Sequence, residues 1–149
     1  MSLVLLLKLI HVLAAITAVG ANLTYTYWLR YAGMDRDRLV WTMNGIRRLD
    51  NFIATPSYIV LAITGVLMVL AGAFSFTTGW IMVAIALYVL VVILGIALYA
   101  PALKRQIAEA EADPTSAAYA AAARRTNRFG IVTTATVLVI VVLMVTKPF

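Results

Sequence analysis

No cysteine occurs in the chain, which excludes disulfides, thiolate nucleophiles, iron–sulfur clusters and thiolate zinc sites. Charge is scarce as well. Of 149 residues only 12% are charged, against 64% hydrophobic, and the mean hydropathy is +0.98. Soluble domains carry about 25% charged and about 45–50% apolar residues, so a water-soluble enzyme is excluded. His11 is the single histidine, and three imidazoles therefore cannot meet on one zinc within a chain. There is no Walker loop, dinucleotide glycine fingerprint or Ser-His-Asp constellation. No pair of acids lies inside the long apolar runs, which argues against a transporter driven through membrane carboxylates.

What is present is uncharged length. Between Lys8 and Arg30 lie 21 residues without a formal charge, between Asp50 and Lys104 lie 53, and between Arg128 and Lys147 lie 18. A helix crosses the hydrocarbon in roughly 20 residues, so the gaps hold one, two and one spans. The long gap divides at Gly72-Ala73-Phe74-Ser75-Phe76-Thr77-Thr78-Gly79, where glycines and hydroxyl residues collect. The expected fold is an all-α integral membrane protein, a single domain over 1–149, with a four-transmembrane-helix bundle at about 3–29, 55–74, 80–100 and 129–146. The first run continues through Asn22, Tyr25 and Trp28 without a small-residue cleavage site, and so reads as a retained helix.

The net charge of +6 is explained by position. Ten of the twelve basic residues lie in two connections: Arg30, Arg36, Arg38, Arg47 and Arg48, then Lys104, Arg105, Arg124, Arg125 and Arg128. The positive-inside bias puts both connections in the cytoplasm and both termini outside. The expected location is a bacterial inner (cytoplasmic) membrane, multi-pass, with the lipid bilayer as partner and no nucleic acid.

Both connections carry helical signals. Asp35 or Asp37 caps a helix with apolar Leu39, Val40, Met43 and Ile46, expected along the inner membrane surface until Pro56 redirects the chain. Leu103 to Ala112 extends span three, and Asp113-Pro114 reads as an N-cap with proline at N1, leading through Ala117 to Ala123 into span four. These are cytoplasmic helical extensions. Asp50 is expected to pair with Arg47 or Arg128.

The informative residues are those costly to place in lipid. At 100° per residue His11, Asn22, Tyr25, Thr26 and Lys8 share one face of the first helix, with Ala15 and Ala18 as small neighbours. Such a stripe turns inward. His11 has three readings: a buried neutral histidine bonded to a carbonyl or tyrosine, an axial ligand of b-type haem, or a proton-relay or metal-transfer group. Lys8 either snorkels to the headgroups or meets an anion such as a propionate. Ser57 with Thr64, Gly65 with Gly72, and Tyr88 with Gly95 are seven apart and mark helix-contact faces, which also leave homo-oligomerisation open. Met68 and Met82 are soft-ligand candidates or core filling.

The string Leu7-Lys8-Leu9-Ile10-His11-Val12-Leu13-Ala14-Ala15, the segment Arg47-Arg48-Leu49-Asp50 up to Pro56, and the closing Leu143-Met144-Val145-Thr146-Lys147-Pro148 resemble a family of uncharacterised bacterial integral membrane proteins. That family is similar to the CopD-like group, which includes copper-resistance membrane proteins and HemJ-type protoporphyrinogen oxidases. The resemblance implies a four-span fold and aligns His11 with the group's first-helix histidine, associated with haem in the HemJ-type proteins. In place of their aromatic and proline pattern after that histidine, this chain has Gly20-Ala21-Asn22-Leu23-Thr24-Tyr25. The leading expectation is a non-catalytic or electron-transferring membrane protein that binds haem b through His11, with Lys8, Asn22 and Tyr25 as further cofactor-binding residues and no separate metal site. The alternatives are a transport or transport-accessory protein for metal or a small solute, and a structural or assembly partner in a membrane complex.

Overall fold

The computed structural model describes residues 2–148. Among them the chain forms helices and no strand: α1 (Leu3–Ala32), α2 (Arg36–Leu49), a first π-helix (Asp50–Ala54), α3 (Thr55–Leu70), α4 (Gly79–Ile93), a second π-helix (Leu94–Tyr99), α5 (Ala100–Ala112) and α6 (Ala117–Thr146). Because the π-helices join their flanking α-helices without a break, four helices are long and apolar enough to cross a membrane: Leu3–Ala32, Arg36–Leu70, Gly79–Ala112 and Ala117–Thr146. The four-span bundle expected from the charge gaps is therefore observed.

At 1.5 Å per residue these rods are roughly 45–52 Å long, against a hydrocarbon core of about 30 Å. Each must protrude, and the protruding parts gather at the end carrying the ten basic residues. There Ala32, Leu39, Met43, Leu103, Ile107, Ala110 and Tyr119 form one buried cluster, with Leu39 and Met43 fully enclosed. Most of the apolar side chains along the spans are instead exposed, the surface a bilayer covers.

The ends are set by local chemistry. Ser2 caps α1 by accepting from the Leu5 amide, and Asp35 caps α2 by accepting from Arg38. Gly33 ends α1 at φ 69°, returning its amide to the Arg30 carbonyl, a positive φ that glycine adopts without Cβ strain. Arg36 donates to the Glu111 carbonyl at 2.6 Å, tying the start of α2 to the end of α5. Around the turn after α5, Asp113 accepts from the amide and hydroxyl of Thr115, while Ser116 caps α6 through the Tyr119 amide. The N-cap is thus Ser116 and not Asp113, because the Asp113 carboxylate is spent on Thr115.

Pro56 does not turn the chain, contrary to expectation. A proline inside an α-helix lacks an amide and clashes with the preceding turn, and here a π-helix absorbs it. The Thr55 amide donates five residues back to Asp50, as the Ala100 amide donates to Gly95 ahead of Pro101. Each π-helix ends two residues before its proline. Consequently α2 does not lie apart as a surface helix but runs on into α3, packing against α1 and α5.

Packing is pairwise: α1 lies on α3, α4 and α5 lie on α6, and α1 touches α6. Although consecutive, α3 and α4 keep their backbones apart. The Tyr88 hydroxyl crosses between them to the Tyr58 carbonyl at 2.8 Å. Gly72 turns the chain out of α3 at φ 77°, and is therefore a turn residue where a helix-contact face was expected.

Candidate functional site

The polar stripe of α1 faces α3 as two separate groups. Toward the amino-terminal end, His11 Nδ1 lies 2.9 Å from Thr64 Oγ1. The Thr64 hydroxyl donates to the Val60 carbonyl at 2.7 Å, a bond that keeps a helical threonine satisfied within its own turn. With the Thr64 proton on Val60, the complementary tautomer has Nδ1–H donating to Thr64 and Nε2 unprotonated. The imidazole packs on Gly65, where a Cβ would lie 3.4 Å from His11 Cε1, ordinary van der Waals contact that leaves room for nothing larger than a methyl group on that side.

The second group lies three helical turns away, roughly 16 Å along the axis. Asn22 donates to the Tyr58 hydroxyl at 2.7 Å. Tyr25 is only 6% exposed, and its buried hydroxyl has no hydrogen-bond partner. The ionisable groups within electrostatic reach of it are Asp50, Tyr99 and Tyr58. Asp50 opens the first π-helix and Tyr99 closes the second, so both proline-induced irregularities bring a polar side chain to this level of the bundle.

Of the residues expected to share a site, then, His11 stands with Thr64, whereas Asn22 and Tyr25 belong with Asp50 and Tyr58. Lys8 is exposed and joins neither group; Thr26 is exposed as well. Met68 is buried one turn beyond Thr64, and Met82 is 57% exposed. Asp50 does not pair with Arg47 or Arg128: among the described residues the one ion pair is Arg105 with Glu109, at 3.7 Å. The carboxylate starts the π-helix on the inward side, while the Arg47 and Arg48 side chains are exposed.

The sequence from residue 5 to residue 148 matches the model of DUF2269, described as a predicted integral membrane protein. The chain belongs to that family. The four apolar helices agree with the description, so this DUF2269 member is a multi-pass membrane protein. Neither the curated proteins nor the solved structures contain a match.

Within this DUF2269 chain His11 is the one imidazole, and its Nδ1 is engaged by the Thr64 hydroxyl. Such an outer hydrogen bond is what orients metal-binding histidines. Among the described residues no three His, Asp or Glu side chains gather as a metal site. Sequence reasoning missed the Thr64 partnership and the role of Asp50 and Tyr99. The available signal was the pair of prolines, Pro56 and Pro101, each inside an otherwise uninterrupted apolar helix.

Proposed function

We propose that this protein binds b-type haem through His11 and serves in electron transfer or haem handling in a bacterial cytoplasmic membrane. The observation supporting this reading is the contact of His11 Nδ1 with the Thr64 hydroxyl, which also bonds the Val60 carbonyl; the ring is held in place, and Nε2 is the nitrogen that would meet the iron. When bound, haem supplies one-electron chemistry with a potential set by its axial ligands and their hydrogen bonds. The chain contributes orientation through Thr64, close helix approach through Gly65, and an apolar surround. With one histidine per chain, a second imidazole for the haem would have to come from another copy.

The experiment is a reduced-minus-oxidised spectrum of the detergent-purified protein after expression with ample haem. A b-type spectrum lost in His11→Ala supports the reading, and a colourless wild-type protein sinks it.

A second reading is favoured by the His11–Thr64 contact bridging α1 and α3: His11 is a clasp between the two helices, and the protein is an assembly partner in a membrane complex. His11→Ala then lowers stability without changing ligand content.

A further inference from the structure

A carboxylate near the hydrocarbon edge is costly unless a cation, a proton or several hydrogen-bond donors answer it. Asp50 is half-buried and has no ion-pair partner among the described residues. The ionisable groups facing it and its neighbour Tyr25 are Tyr25 on α1, Tyr58 on α3 and Tyr99 on the second π-helix; none is a cation. The cluster therefore carries one formal negative charge surrounded by neutral phenol oxygens.

Independently, the Tyr25 hydroxyl is almost fully enclosed and unpartnered. Buried polar atoms are nearly always satisfied, and an orphan marks a missing water, ion or ligand. Tyr25 faces Asp50 within reach of a weak hydrogen bond, but among the described residues its hydroxyl closes none of full geometry. The Tyr58 hydroxyl accepts from Asn22, so Asn22 holds that oxygen in place.

The backbone adds a third feature. With the Thr55 amide committed to Asp50 and no amide on Pro56, the Asn51 carbonyl loses both its usual α-helical donor and the π-helical alternative. The same holds for Ile96, since the Ala100 amide goes to Gly95 and Pro101 has none. Helical irregularities thus free hard oxygen acceptors on the same turns that carry Asp50 and Tyr99. Carbonyls freed where a membrane helix is interrupted are suited to small monovalent ions.

We infer that the Asp50–Tyr25 cluster is a binding site for one monovalent alkali-metal cation, with the Asp50 carboxylate supplying the charge and the Tyr25 oxygen a neutral ligand. A single carboxylate matches a single positive charge. The donors are hard oxygens, the type such cations take in preference to nitrogen or sulfur. A divalent metal is disfavoured because, among the described residues, no second acid acts on Asp50. The exposed, mutually packed rings of Tyr27, Trp28 and Tyr31 mark the interface one turn beyond Tyr25, which places the cluster near the end of the span.

The test is a thermal melt of the full-length protein in detergent, titrated with NaCl or KCl against choline chloride at constant ionic strength. NaCl or KCl raises the melting temperature saturably above the choline reference. Asp50→Asn abolishes the difference, and Tyr25→Phe raises the half-saturating concentration about tenfold, the loss of one hydrogen-bond-sized contact to a charge. Should Asp50→Asn fail to fold, Tyr25→Phe alone carries the comparison. His11→Ala keeps the response, which separates this site from haem binding. Identical wild-type melts in the three salts overturn the proposal, as does an undiminished response in Asp50→Asn. A dependence on pH with no difference between salts also overturns it and assigns the site to a proton.

Discussion

The His11 imidazole and the Thr64 hydroxyl meet at 2.9 Å across the α1–α3 contact, and the same hydroxyl lies 2.7 Å from the Val60 carbonyl of its own helix, so with its proton on Val60 it accepts from His11 Nδ1. Thr64→Val keeps the volume but removes the acceptor, leaving a buried N–H unanswered. The expected cost is about 1 kcal/mol of stability. In haem-loaded protein the midpoint potential rises, because a histidine without its outer hydrogen bond is a weaker donor to ferric iron. Thermal melting and a redox titration check the two parts.

Gly65 tests the same contact from the other side. A Cβ lies 3.4 Å from His11 Cε1, ordinary van der Waals distance, so Gly65→Ala folds with the imidazole close to its present place. Gly65→Leu has no such room and pushes His11 off Thr64. It is expected to melt lower by an amount typical of overpacking, about 1–3 kcal/mol, and to lose haem along with stability.

At the end opposite the basic residues, Lys147 Nζ stands 5.1 Å from the Phe74 ring centre and 6.0 Å from that of Trp80, and the two rings meet edge to face. The last turn of α6 is thereby fastened to the α3–α4 connection. Lys147→Gln loses the cation and is expected to cost about 0.5–1 kcal/mol, whereas Lys147→Arg retains most of it. Thermal melting with Trp80 emission as the local probe separates the two.

The hairpin between α5 and α6 has a pH signature. The hydroxyl and amide of Thr115 hold the Asp113 carboxyl below the ordinary carboxylate range. A depressed folded-state value stabilises the turn above the unfolded pKa of about 3.9, and that contribution disappears as the pH falls through the lower folded value. Thr115→Val moves the Asp113 titration back up toward the ordinary value, as followed by its carboxyl-carbon resonance.

The spans were legible because charge is costly in lipid and its absence over long stretches has few other meanings. The same cost made the polar stripe of α1 visible, and Leu39, Met43 and Ile46 are buried on α2 as their spacing required. The partners across the helix interface were not legible. Nothing in the spacing of His11 selects Thr64, since helix rotation and depth decide which residue of α3 stands opposite. The continuity through Pro56 and Pro101 was also hidden: a π-helix is stabilised by its surroundings and has no local pattern of its own. Asp50 was misassigned for that reason, because the π-helix sets it inward while its arginine neighbours remain outside.

The measurement that bears most directly on the account is the haem content per chain of protein purified from haem-sufficient cells, wild type beside His11→Ala. The expected result is stoichiometric b-type haem in the wild type, one per chain or one per two chains, and none in a folded His11→Ala variant. A folded wild-type protein without haem, or equal haem in both, contradicts it.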